Sequence, residues 1–160
     1  MKPFLAAVAI CAFLVTGCTN ETFVAESPSM EPSIPKGSKV KVELSAYSRA
    51  APARFDIVVF RPPTNKDHIF MFRVLALPGE RITLRDSKIE INGTDLSIPG
   101  KIIYSSLASG HPATYNNVTL GKDEYYLVGD NVAGANDSRF LGPIRREAIM
   151  GKVVEIRGGQ

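Results

Sequence analysis

After residue 18 this chain has no sustained 3.6-residue apolar repeat, and Gly and Pro recur too often for a long helix. What recurs instead are short strand-like runs. Lys39-Val40-Lys41-Val42-Glu43-Leu44 alternates and predicts a half-exposed strand. Asp56 to Phe60 predicts a buried strand, stopped by Pro62-Pro63. His68 to Leu77 predicts a longer apolar strand, ended by the turn pair Pro78-Gly79. Arg81 to Leu84 and Lys88 to Ile91 predict a hairpin around Asp86-Ser87, and Asn92-Gly93 predicts a type I′ turn. Residues 93–122 are rich in Gly, Ser, Asn and Pro and read as a loop-rich insertion. Glu124 to Val128 and Met150 to Arg157 predict two further strands, and Gly142 to Ala148 one helical turn near Pro143. The pattern predicts an all-β domain over residues 27–160, built as a barrel or sandwich.

The N-terminus has a different character. Met1-Lys2 is a short positive start, and Phe4 to Gly17 is almost wholly apolar. That run extends ~21 Å as a helix, short of the ~30 Å hydrocarbon core, and reads as a secretory signal. Leu14-Val15-Thr16-Gly17-Cys18 resembles a bacterial lipobox, which implies a lipid on Cys18. A short uncleaved anchor is the other reading. Both place the chain in the cell envelope, tethered to membrane lipid on the extracytoplasmic side. Residues 19–26 read as a polar spacer. Ser29 then lies at most ~36–40 Å of extended chain from Cys18.

Composition excludes several classes. The net charge is +3 and no Lys/Arg cluster is dense, so no nucleic-acid partner is expected. Both cysteines, Cys11 and Cys18, lie in the leader, which leaves the domain without a disulfide framework. With only His68 and His111, no HExxH spacing, no P-loop and no GxGxxG, neither a metal nor a cofactor is expected.

The stretch Ser27-Pro28-Ser29-Met30-Glu31-Pro32-Ser33-Ile34 presents hydroxyls between two prolines that fix φ and cannot donate to a sheet ladder. It reads as a stiff, extended segment, either a linker or a nucleophile awaiting a base. Ser27-x-Ser29-Met30-x-Pro32 resembles the nucleophile box of type I signal peptidases, serine endopeptidases that remove secretory signal peptides. Three further boxes follow in the same order. Asp56-Ile57-Val58 is similar to the family's Gly-Asp-Ile-Val, with Phe55 where Gly is usual. Arg73 to Glu80 is similar to the Lys-Arg, apolar, Pro-Gly-acid box. Gly129 to Arg139 is similar to Gly-Asp-Asn-Arg-x-x-Ser-x-Asp-Ser-Arg.

The resemblance implies Ser29 as nucleophile, with the Ser27 hydroxyl and the Ser29 N–H as oxyanion hole. It implies that Arg73, Asp130, Asn131, Asp137, Ser138 and Arg139 are structural supports. It also exposes two departures. The register set by Arg73 and Pro78-Gly79 puts Phe72 where the family has its lysine base, and a phenyl ring accepts no proton. Ala135 stands where a Ser orients that lysine, and Val132 where the family has Arg. His68, four residues earlier on the expected strand, is ~13 Å away and too far to help. Lys36, Lys39, Lys41 and Lys66 read as solvated turn and strand charges. Two functions follow from the resemblance. One is an endopeptidase that processes the signal peptides of exported precursors. The other is an inactive homologue that binds extended peptides or chaperones a surface-assembly partner.

Overall fold

The computed structural model describes residues 19–62, 67–85, 88–99 and 114–158. The leader with Cys18, Lys66, His111 and the centre of the expected insertion lie outside the described residues. The strands are β1 (Asn20–Val24), β2 (Lys39–Glu43), β3 (Ile57–Phe60), β4 (Phe70–Ala76), β5 (Arg81–Arg85), β6 (Lys88–Ile91), β7 (Thr94–Asp95), β8 (Asn117–Thr119), β9 (Glu124–Val128), β10 (Ile144–Arg145) and β11 (Ile149–Arg157). One four-residue helix, α1 (Ser138–Leu141), follows β9. The fold is all-β, as the short punctuated runs predict.

The larger sheet runs β1-β2-β11-β3-β4-β9-β10 and curls into a half-barrel, with every pairing antiparallel. The smaller runs β7-β6-β5-β8. Strands β4 and β9 are buried on both faces, which is why their sequences are nearly continuous apolar runs. Phe72, Val74, Tyr125 and Leu127 pack into one core with Val58, Phe60, Met30 and Ile34. Leu75, Ala76, Tyr126 and Val128 pack into a second core beneath the small sheet, with Ile82, Leu84 and Ile89.

Three expectations are corrected. The polar stretch 19–26 is no spacer: residues 20–24 form β1, in register with β2 from Asn20↔Glu43 to Val24↔Lys39. Backbone pairing along the open edge of β2 holds its polar start, and Phe23 packs on the first core. The helical turn expected at 142–148 is present as a 3₁₀ turn at 146–148, and a further turn, α1, forms earlier, where Asp137 caps the N-terminus by accepting from the Arg139 N–H. Residues 144–145 pair with β9. Described parts of the expected insertion, β7 and β8, are the two edges of the small sheet rather than loop.

Candidate active site

Ser27 to Met30 is a turn, not an extended peptide, and this is the third correction. Ser27 has extended backbone, Pro28 opens a 3₁₀ turn over Pro28–Met30, and the Glu31 N–H closes it onto the Pro28 carbonyl at 3.1 Å. Proline's fixed φ suits the first position of a helical turn, and a Ser before it caps. The Ser27 and Ser29 hydroxyl oxygens are 2.8 Å apart, a hydrogen bond. The Ser29 N–H reaches Ser27 Oγ only at 3.4 Å, so that donor is loosely engaged. Ser29 is buried, and Met30 and Ile34 anchor the turn in the first core.

The end of β9 holds this turn from behind. The Asn131 N–H donates to the Ser29 carbonyl, and Asn131 Nδ2 to the Pro28 carbonyl. Asp130 is gripped by Arg73 from β4 through two bonds, Nε to Oδ1 at 2.9 Å and Nη2 to Oδ2 at 2.6 Å. The same guanidinium donates to the Phe55 carbonyl and to Ser33 Oγ. Further along, Asp137 accepts from the Gly129 N–H and from Arg139, and Arg139 donates to the Val132 and Ala135 carbonyls. Ser138 Oγ accepts from the Leu127 N–H. Asp137, Ser138 and Arg139 are all buried. This network ties buried side chains to the main chain of residues 127–139.

Gly129 is the meeting point. A Cβ placed there would lie 2.5 Å from Ala135 Cβ, 2.6 Å from the Ser29 carbonyl oxygen and 3.3 Å from Phe72 Cε1. Phe72 and Ala135 are therefore neighbours of the Ser29 main chain. The Phe72 ring is buried and packs on Phe60 (centroids 5.6 Å) and Phe70 (5.7 Å, nearly parallel). Phe70 and Phe72 share a face of β4, and Phe60 is the register partner of Phe70.

Ser27 and Ser29 open onto a cavity of about 480 Å³. Its walls come from the end of β1 through Glu26, from Met30 and Ile34, and from residues 67–71 ahead of and entering β4. A family model described as signal peptidase, peptidase S26, matches residues 1–157. This chain belongs to that family. Among signal peptidase relatives, signal peptidase I V of Bacillus subtilis (strain 168) is 32% identical over 161 residues, covering 94% of each chain. Signal peptidase I of Bacillus caldolyticus is 31% identical over 160 residues, covering 94% of this chain and 86% of that one. A crystal structure of a signal peptidase I from Enterococcus faecalis V583 superposes with a TM-score of 0.52 at 27% identity, over 65% of this chain and 97% of that chain.

In this signal peptidase fold His68 does not sit where the sequence suggested. Strand β4 begins at Phe70, so His68 lies in the irregular chain ahead of it rather than on the strand. It lines the cavity with Ser29. The hydropathy run hid this, because Ile69 and Phe70 extend the apolar pattern back to His68. No Lys or Arg is among the described residues lining the cavity; its titratable side chains are Glu26, Asp67 and His68. No group of three or more potential metal ligands occurs among the described residues.

Proposed function

We propose that this chain is a serine endopeptidase of the signal peptidase type. It takes an extended segment of an exported precursor into the cavity and cuts it with Ser29, while residues 1–18 hold it at the outer face of a membrane through lipid on Cys18 or a short anchor. The observation that carries the reading is the Ser27–Ser29 hydroxyl pair at 2.8 Å on the cavity wall. Ser29 Oγ attacks the scissile carbonyl carbon, and the Ser27 hydroxyl and loosely engaged Ser29 N–H meet the oxyanion. Short apolar walls suit an extended peptide better than a folded surface.

A second reading is favoured by a specific observation. The Phe72 ring and the Ala135 methyl lie beside the Ser29 main chain, and by resemblance theirs are the positions of the family's lysine and its orienting serine. An inactive homologue would bind the same peptides, or chaperone a surface-assembly partner, without cutting. With no base, substrate binding and the oxyanion hole alone leave only ~10³–10⁴-fold over water.

The test offers a precursor embedded in lipid vesicles to the full chain and to Ser29→Ala. Processing by the wild type that vanishes in Ser29→Ala supports the endopeptidase. Peptide binding without processing by either protein establishes the second reading.

A further inference from the structure

Ser29 needs a proton acceptor, and among the described residues lining its cavity three are titratable: Glu26 at the end of β1, and Asp67 and His68 ahead of β4. Carboxylates ordinarily titrate near 4 and draw a proton from an alcohol poorly, whereas an imidazole ordinarily titrates near 6.5 and suits the task near neutrality. His68 is exposed, and no hydrogen bond or ion pair holds its ring elsewhere among the described residues. Irregular backbone at 67–69 leaves its side chain unconstrained by the strand pleat. In unliganded sites catalytic hydrogen bonds are commonly long and tighten only on substrate.

We infer that His68 is the general base for Ser29, an assignment that rests on the endopeptidase reading above. The imidazole accepts the Ser29 Oγ proton as the Oγ–C bond to the peptide carbonyl forms. It returns that proton to the departing amine nitrogen as the C–N bond breaks. A water then attacks the Ser29 ester, losing its proton to the imidazole, which passes it to Ser29 Oγ as the acid product leaves. Every bond made and broken is accounted for without metal or redox partner. The catalytic base thus enters from the loop before β4 rather than from position 72 within it.

The test is the pH–rate profile of precursor cleavage by the full chain, compared with His68→Gln and His68→Gly. The wild-type rate is expected to rise with pH through one ionisation and then level off. His68→Gln should lose at least ~100-fold in kcat, with KM little changed and that limb gone. Added imidazole should restore part of the His68→Gly rate, which no merely structural role for His68 would allow. Ser29-dependent cleavage at the wild-type rate in His68→Gln overturns this assignment and leaves the endopeptidase reading standing. Cleavage that keeps its pH limb in His68→Gln but loses it in Asp67→Asn also overturns it. Absence of Ser29-dependent cleavage in the wild type overturns both.

Discussion

The Asn131 N–H donates to the Ser29 carbonyl at 3.0 Å, so the loop after β9 and the turn after β1 are one rigid unit. The Asn131 side chain adds a second tie, at 3.1 Å to the Pro28 carbonyl. Asn131→Ala keeps the main-chain bond and loses the other. It should cost about 1 kcal/mol in urea unfolding. It should lower kcat for cleavage more than it raises KM, because it loosens the nucleophile and leaves the cavity walls intact.

Gly129→Ala is a sharper probe of the same junction. Its methyl would stand 2.5 Å from Ala135 Cβ and 2.6 Å from the Ser29 carbonyl oxygen, so main chain has to shift. Overpacking of this kind costs ~1–3 kcal/mol. Adding Ala135→Gly removes the first clash but not the second, so the double variant should recover only part of the lost urea midpoint.

The sequence made the fold class legible because β2, β3, β4, β9 and β11 each announce themselves by alternation or by a bounded apolar run. It hid β1, because an edge strand that opens Asn-Glu-Thr and offers only Phe23-Val24 as an apolar run is held largely by backbone bonds to β2. It gave no sign of α1, which depends on the Asp137 cap and on a buried Arg139 rather than on periodicity. Phe72, Ala135 and the Ser29 carbonyl meet at Gly129, a junction between three separate motifs that no one of them displays alone. The cavity could not be read, because it joins residues 23–34 to residues 67–71 through a fold rather than a motif. Phe55 stood out as a departure from Gly, and its φ of 72° shows a left-handed backbone there despite the side chain.

Phe72→Lys tests how apolar the slot is. An amine placed between Phe60 and Phe70 loses solvation, which pushes its folded-state pKa below that of the unfolded chain. The neutral form is favoured in both states above ~10.4, so the stability penalty is smallest there and grows as pH falls. The variant should be about 2–4 kcal/mol less stable than wild type at pH 7, with the gap narrowing toward pH 10 in parallel urea titrations. A gap independent of pH would mean that the amine reaches water. Combined with Ala135→Ser, the same change should give cleavage that no longer needs His68.

Asp56, at the start of β3, supports the sheet away from the cavity. Burial alone would raise its carboxyl pKa. Bonds from Lys152 (2.7 Å), the Ala53 N–H and the Tyr47 hydroxyl (2.8 Å) outweigh burial and hold it below the ordinary value. The stabilisation is therefore complete above the unfolded carboxyl's pKa, ~3.9, and is lost as pH falls through the lower folded value. Asp56→Asn should cost about 1–2 kcal/mol at pH 7. The difference from wild type should shrink below ~pH 4, as read from urea midpoints across that range.

If Ser29 is the proposed nucleophile, its Oγ is activated although the Phe72 ring lies beside its main chain. The most direct measurement is intact-mass and peptide mapping of the chain after exposure to a fluorophosphonate. One adduct per chain, located on Ser29 and absent from Ser29→Ala, is the predicted result. An unmodified Ser29 in folded wild-type protein, under conditions that label a working serine hydrolase completely, would contradict it.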